Sequence, residues 1–464
     1  MALISRIFAV ILFLSGIMPA NAVMLTVGQP GCLRTLLTDP TRQTSLSVSG
    51  TIDARDLQFI AAEMPSLQTL DLSEAQIAPY RENPAGQIPA GIFAGSSLTE
   101  IIFPAESSVS IGEMAFMDSS LKTVTLNNIA EIGLGAFAGC RQLERLSLNR
   151  ISSVGAHAFA DCTVLTSLVL SEVDSIAQSA FAACTSLSDI SGEECLKYIG
   201  AKAFSGCRSL SSFQFGPQLG YISDSAFAGC GLTELDLSAS PADIALSEWA
   251  FSQCPSLRSV ALPAGLVSLP EALLLGDDNI RALSLPSSLK FIGDYSLSGL
   301  NELEAIELSE NLSYIGDLAM NRTTGLTKID AATLKAVPAL GDCVWDGVTC
   351  SSVRLEVAPS LADEFAMADQ WRDFDIASAA TSASSEPQST TGLKFSLDGR
   401  RLLISSADGL RKVSIFSADG RLIAAGFGIK GDYSYDASSL PSSVIIVEAV
   451  ASDGSTKSDK ILLN

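Results

Sequence analysis

Apolar residues recur along most of the chain in one phrase, I-G-x-x-A-F-x-x-C-x-x-L-x-x-L-x-L, as in IGLGAFAGCRQLERLSL, VGAHAFADCTVLTSLVL and IGAKAFSGCRSLSSFQF. The Phe position is filled by Phe93, Phe116, Phe137, Phe159, Phe181, Phe204, Phe227, Phe251, Leu274, Leu297 and Met320, at steps of 23, 21, 22, 22, 23, 23, 24, 23, 23 and 23 residues. Trp345, 25 residues further on, takes the same slot in a degenerate last unit. Such a period marks stacked supersecondary units that bury their apolar side only against their neighbours. The L-x-x-L-x-L half predicts a short strand with two side chains in and one between them out; twelve such strands are expected, from Leu67-Leu70-Leu72 to Leu326-Ile329. The I-G half predicts a second short strand or bend, with Gly permitting the turn. The A-F segment predicts a single helical or 3₁₀ turn. Twelve coils at the ~4.8 Å strand spacing give a rod of roughly 55–60 Å.

Residues 23–66 predict an N-terminal cap, with Asp53 capping a helix that Pro65 closes. The coils span 67–357. Residues 358–376 predict a helical cap opened by Ser360, laying Phe365 and Trp371 on the last coil. A linker over 377–391, ASAATSASSEPQSTT, precedes a different pattern at 392–464, where apolar runs alternate with four Asp-Gly pairs. Asp-Gly favours tight hairpins, so this part predicts a small antiparallel β-sandwich.

Charge and the first residues narrow the setting. With 29 Lys and Arg against 51 Asp and Glu, the net charge of −22 disfavours nucleic acid as a partner. Arg6, an apolar run from Ile7 to Ile17 and the sequence Pro19-Ala20-Asn21-Ala22 read as a secretory signal peptide over 1–22, cut between Ala22 and Val23. No other stretch is apolar for long enough to cross a membrane as a helix. The mature chain is therefore expected to be exported, to lie at the cell surface or outside it, and to be a monomer.

The repeat phrase resembles the BspA-like, or Treponema-type, class of bacterial leucine-rich repeats, over about residues 45–375. The resemblance implies a right-handed leucine-rich repeat solenoid of short parallel strands and short helical turns, and a secreted or surface-displayed interaction protein, often an adhesin, without enzymatic activity. It carries no shared binding-residue motif. The C-terminal stretches VSIFSADGRLIAAG, DASSLPSSVIIVEAV and TKSDKILLN are similar to the sorting domain of the Bacteroidetes type IX secretion system. They depart from it in Ser442, Ser443, Val444 and Ile445 after Leu-Pro, and in ending on Asn464. That resemblance implies delivery across the outer membrane.

Little chemistry competes with a binding role. Cys140, Cys162, Cys184, Cys207, Cys230 and Cys254 share one register, three residues after the Phe, where other coils have Ser119, Asp277, Leu300 or Thr323. A metal is disfavoured, since no C-x-x-C and no His partner appear. Disulfides between coils would need Cβ atoms at ~3.8 Å, closer than the strand spacing, so a column of free buried thiols is expected. Cys343 and Cys350 stand outside that column, and an oxidising compartment makes a local disulfide between them an expectation. His157, the one histidine, sits two residues before a Phe in a slot that also holds Ser179, Lys202 and Ser225, and is expected at the surface. No cofactor or metal site is expected.

The residue just before the I-G Ile points outward by alternation. Most coils fill it with small or polar groups, but Tyr198 with Tyr221, and Phe291 with Tyr314, form two adjacent aromatic pairs. Two readings stay open for them: cross-strand pairs that stabilise the stack by ~0.2–1 kcal/mol, or exposed platforms for a ligand. The leading function is an adhesin-like binding module for a protein or other macromolecule; the alternative is a surface glycan-binding accessory protein.

Overall fold

The computed structural model describes residues 21–126, 128–149, 151, 153–378, 393–398, 400–406, 409–417, 422–429, 431–438, 440, 444–451 and 456–463. The chain divides after residue 379 into two compact units. The expected signal peptide lies outside the described residues except for Asn21 and Ala22, and Ala22 and Val23 open the first strand, Ala22–Val27.

The first unit is a parallel β-solenoid. One side carries an eight-stranded sheet from Ala22–Val27 to Asp189–Ser191 and a seven-stranded sheet from Glu234–Asp236 to Asp375–Ser378. Strand Arg145–Asn149 shows the rule, burying Leu146 and Leu148 and leaving the residues between them nearer solvent. The other side carries sheets of three, five and four strands, most of them two residues long, that contain the I-G isoleucines.

Eleven of the twelve expected strands form among the described residues; the stretch at Ser211, Phe213 and Phe215 does not. Phe213 and Phe215 replace the usual Leu-type pair and turn inward. Phe213 packs 4.9 Å from Phe227, and Phe215 reaches 5.8 Å from Phe251 across the next coil. Two rings that bridge several coils hold this segment away from ladder geometry.

The A-F segment is not a helix. Its amides alternate between two kinds of bond. Around Phe116, the N–H groups of Met114, Phe116 and Asp118 donate to Leu134, Ala136 and Ala138 of the next coil at 2.7–2.8 Å. The intervening N–H groups of Ala115, Met117 and Ser119 close turns onto the residue three before each. This needs a left-handed residue at two places per coil, two before and two after the Phe, for example Met114 at φ 52° and Asp118 at φ 55°. The I-G glycine serves close approach rather than a bend: a Cβ on Gly293 would lie 2.8 Å from the Leu269 carbonyl oxygen of the preceding coil.

Inside, eight Phe rings stack from Phe93 to Phe251 at centroid spacings of 5.1–5.5 Å and interplanar angles of 2–18°. Trp345 takes the slot at the far end and meets Trp371 and Phe374 of the cap. At the near end Asp53 caps the helix Ala54–Glu63 in a reciprocal box with Asp56. At the far end the expected cap is broken up. Leu361, not Ser360, precedes a short helix Ala362–Met367. Gln370 then turns left-handed, and its amide bonds Val344 N and Gly341 O of the last coil at 2.9 and 2.7 Å. The strand Asp375–Ser378 extends the sheet into the start of the expected linker, whose remainder lies outside the described residues.

The second unit pairs Lys394–Asp398, Arg401–Ser405 and Tyr433–Asp436 in one antiparallel sheet. Leu422–Ile429, Leu410–Ser417, Val444–Ala451 and Thr456–Leu462 form the other. Leu402, Ile404, Val413, Ile415, Ile445 and Val447 are part of its core. Of the Asp-Gly pairs, Asp398 and Gly409 are described, and Gly409 has the expected positive φ, 82°; the rest lie outside the described residues.

The six in-register cysteines are buried and unbonded to one another. Each thiol donates to the carbonyl of the preceding coil's Phe, from Cys140 on Phe116 at 3.2 Å to Cys254 on Phe227 at 3.3 Å. Thr323 makes the same bond to Leu297 through its hydroxyl, at 3.4 Å. Burial pushes the Cys140 thiol up to about 11, and raises the other five well above the usual thiol range. Thiolate is the reactive form. Iodoacetamide should therefore spare these six thiols in the native protein and modify all six once it is unfolded without reductant. Mass spectrometry counts them, and fewer than six after unfolding would show that some are bonded.

Asp277 occupies the same column. One carboxyl oxygen accepts from Cys254 N at 2.6 Å and the other is buried without a partner among the described residues. Burial pushes this carboxyl well above the usual range, with Asp278 adding to the shift. An acid whose folded value is raised contributes fully below its unfolded value of about 3.9. It loses that contribution as pH rises toward the folded value, by up to about 1.4 kcal/mol per pH unit. Asp277→Thr, copying Thr323, should raise stability at pH 7 more than at pH 4. Urea midpoints of both proteins at the two pH values test this, and an equal difference at both would contradict it.

Candidate functional site

The outward row on the I-G side is built by strands that bury one residue and expose its neighbour. In Tyr198–Ile199 and Tyr221–Ile222 the isoleucines are sealed and the tyrosines stand out, 41% and 36% exposed. The two strands pair in parallel with Tyr198 opposite Tyr221. Their rings stack at 5.4 Å and 7°, and the Tyr221 hydroxyl lies 2.8 Å from Ser247 Oγ. Ser175 and Ala245 flank the pair, so small side chains border it along the row.

Phe291 and Tyr314 pair in the same way in a separate sheet, 43% and 37% exposed, between Ser268 and Ala339. Only the Tyr198–Tyr221 rings are in stacking contact; the expected contact between the Phe291 and Tyr314 rings does not form among the described residues. Desolvation raises the Tyr314 phenol, and the carboxylates of Asp317, Asp294 and Asp342 add to it. Asp317 N and Asp342 N each bond the Asp of the preceding coil at 2.8 Å, which holds this acidic file in place. The structure thus sets the four aromatics on one type of face but in two separate sheets, and gives only the first pair a joint surface.

The disulfide expected between Cys343 and Cys350 is not formed. Cys343 is exposed in the left-handed slot two before Trp345, whereas Cys350 is half-buried with its sulfur 3.6 Å from the Val348 carbonyl. His157 is exposed, and the polar character expected of its slot holds at Lys202 but not throughout. Ser179 is buried, and Met114, Trp249, Tyr295 and Leu318 occupy the same position. What the slot fixes is a left-handed backbone, φ 51–61°, in every coil from Met114 to Cys343. Sequence reasoning missed Trp249 and Tyr295. The signal lay in SEWAF and GDYSL, where a large aromatic precedes the Phe-slot residue by two.

Among the described residues no cluster of three or more His, Cys, Asp or Glu could hold a metal, and no helix is long and apolar enough to cross a membrane.

Comparison with solved structures places a leucine-rich repeat protein from Bacteroides ovatus at TM-score 0.55 and 20% identity, covering 78% of this chain and 93% of that one. The pneumococcal vaccine antigen PcpA matches at TM-score 0.36 and 16% identity, over 78% and 91% of the two chains. A leucine-rich repeat protein of T. pallidum matches at 0.29 and 26%, over 42% and 78%. At 20% identity the first likeness shows the fold alone. Comparison with curated proteins finds no match. The model of the BspA type leucine rich repeat region, in six copies, matches residues 86–211, 131–246, 174–270 and 243–342, together more than half of the chain. With its turn ladder, Phe stack and repeated strands, the chain belongs to the BspA-type leucine-rich repeat family.

Proposed function

We propose that this chain is an exported, surface-displayed binding protein that recognises a macromolecule, most simply a protein, on the outward face of its solenoid. The observation that carries it is the Tyr198–Tyr221 stack. Two large rings stay in part exposed on rigid two-residue strands, bordered by Ser and Ala that leave their edges open. Tyr loses little conformational freedom on binding and supplies a large amphipathic contact, which is why it anchors interfaces. The signal-like start over 1–22 and the sorting-like β-sandwich over 392–464 support export through a type IX route, and an adhesin role fits the family.

Stacking alone is worth about 0.5–1.5 kcal/mol, whereas an interface anchor costs 2 kcal/mol or more when removed. The double variant Tyr198→Ser, Tyr221→Ser should therefore melt only a few degrees lower yet lose more than tenfold in adhesion to host matrix proteins or cells. Surface plasmon resonance on an immobilised matrix-protein panel, beside thermal melting, reads both. Unchanged binding with a lowered melting temperature would make the tyrosines structural and end this reading of the site.

A further inference from the structure

A groove runs along the turn side of four successive coils. Trp249, Leu275, Tyr295, Ser298, Asn321 and Arg322 line a space of about 520 Å³, within the usual range for ligand sites. Trp249 and Tyr295 fill the left-handed slot of two coils separated by one, whose own slot holds Ala272. Leu275, Ser298 and Asn321 follow the Phe slot directly in three consecutive coils, and Arg322 closes the end. Tyr295 is 37% exposed and Trp249 half-buried. Ser298 and Asn321 bring polar side chains to the groove, and the Arg322 guanidinium makes no ion pair among the described residues.

We infer that this groove binds a neutral, extended glycan of β1,4-linked pyranose units. A pyranose presents a flat C–H face and a rim of hydroxyls that both donate and accept. Trp249 and Tyr295 supply the flat partners. Ser298 and Asn321 offer polar groups beside them, and the Arg322 guanidinium offers donors that no carboxylate holds among the described residues. The two aromatics stand two coils apart, about 10 Å at the backbone, close to two pyranose units of an extended β1,4 chain, so alternate sugars would meet a ring. Nucleotides would offer rings as well, but their phosphates meet a chain of net charge −22. A protein interface needs about 1,000 Å² or more of buried surface, a scale the groove by itself does not supply.

The molecule carries its own probe. Of three tryptophans, Trp345 and Trp371 are buried, so a change in emission on binding reports Trp249. The full chain is titrated with cellohexaose, xylohexaose and mannohexaose, and with maltohexaose, whose α1,4 chain curves. At least one β1,4 hexaose should shift tryptophan emission to the blue and bind at least tenfold more tightly than maltohexaose. By calorimetry, Trp249→Ala and Tyr295→Ser should each weaken it at least tenfold. Circular dichroism melts show whether each variant is folded, and Tyr295, the more exposed, gives a second variant should Trp249→Ala unfold. The Tyr198→Ser, Tyr221→Ser protein should bind the hexaose unchanged, which separates this groove from the surface proposed above. No binding by any β1,4 hexaose at millimolar concentration, equal binding of maltohexaose, or binding indifferent to both substitutions would overturn the inference.

Discussion

Everything in the solenoid depends on one constraint: a turn whose alternate amides point along the stack has to find its hydrogen-bond partners in another coil. In the A-F segment, N–H groups at the Phe slot and two residues to either side bond the next coil, and those between them close the turn. A coil alone would leave the first set unpaired, at roughly 1–3 kcal/mol for each buried group. The stack fixes the left-handed residues, even where they are Lys202 or Trp249, for which that backbone is unfavourable in isolation. It also fixes the rise between coils, and with it the Phe stacking distance and the approach that excludes a side chain at Gly293.

The same constraint frees the outside. Because backbone bonds and the inward Phe, Cys and Leu column hold each coil, the residues two before the Phe and one before the I-G Ile carry little of the load. These are the two positions where aromatics surface, Tyr198 and Tyr221 on one face, Trp249 and Tyr295 on the turns. At several coils the left-handed residue stands at the surface, as at His157, Lys202 and Tyr295, although Ser179 and Ala272 in the same slot are buried. The side chain at this slot varies among Ser, Lys, His, Trp and Tyr while φ stays nearly constant, so the backbone rule leaves the residue type free.

Much of this was legible in the residues. The Phe register located every coil, down to Trp345, because a buried ring in a stack tolerates few replacements. Asp53 as a cap and Phe365 and Trp371 as lids were legible for the same reason: exposed ends of a solenoid need them. The turn geometry was hidden, since Gly marks only some left-handed positions and neighbouring coils impose the rest. The far cap was read as one helix from Ser360, whereas the helix runs only over Ala362–Met367 and Gln370 beyond it is tied to Val344 and Gly341 of the last coil, contacts that local pattern cannot show. The seventh strand failed through Phe213 and Phe215, whose size matters only once the facing rings are known. Of the site, the stacked tyrosines were visible as periodicity; the groove was not, because it joins four coils through slots whose polarity varies.

Site-resolved hydrogen exchange on the full chain tests the turn ladder most directly. The amides from Met114 to Asp118, and their counterparts around Phe137, Phe159 and Phe204, should be protected as strongly as those of strand Arg145–Asn149, although the segment is neither helix nor strand. Exchange of these amides at the rate of ordinary surface turns, with the strands still protected, would contradict the account.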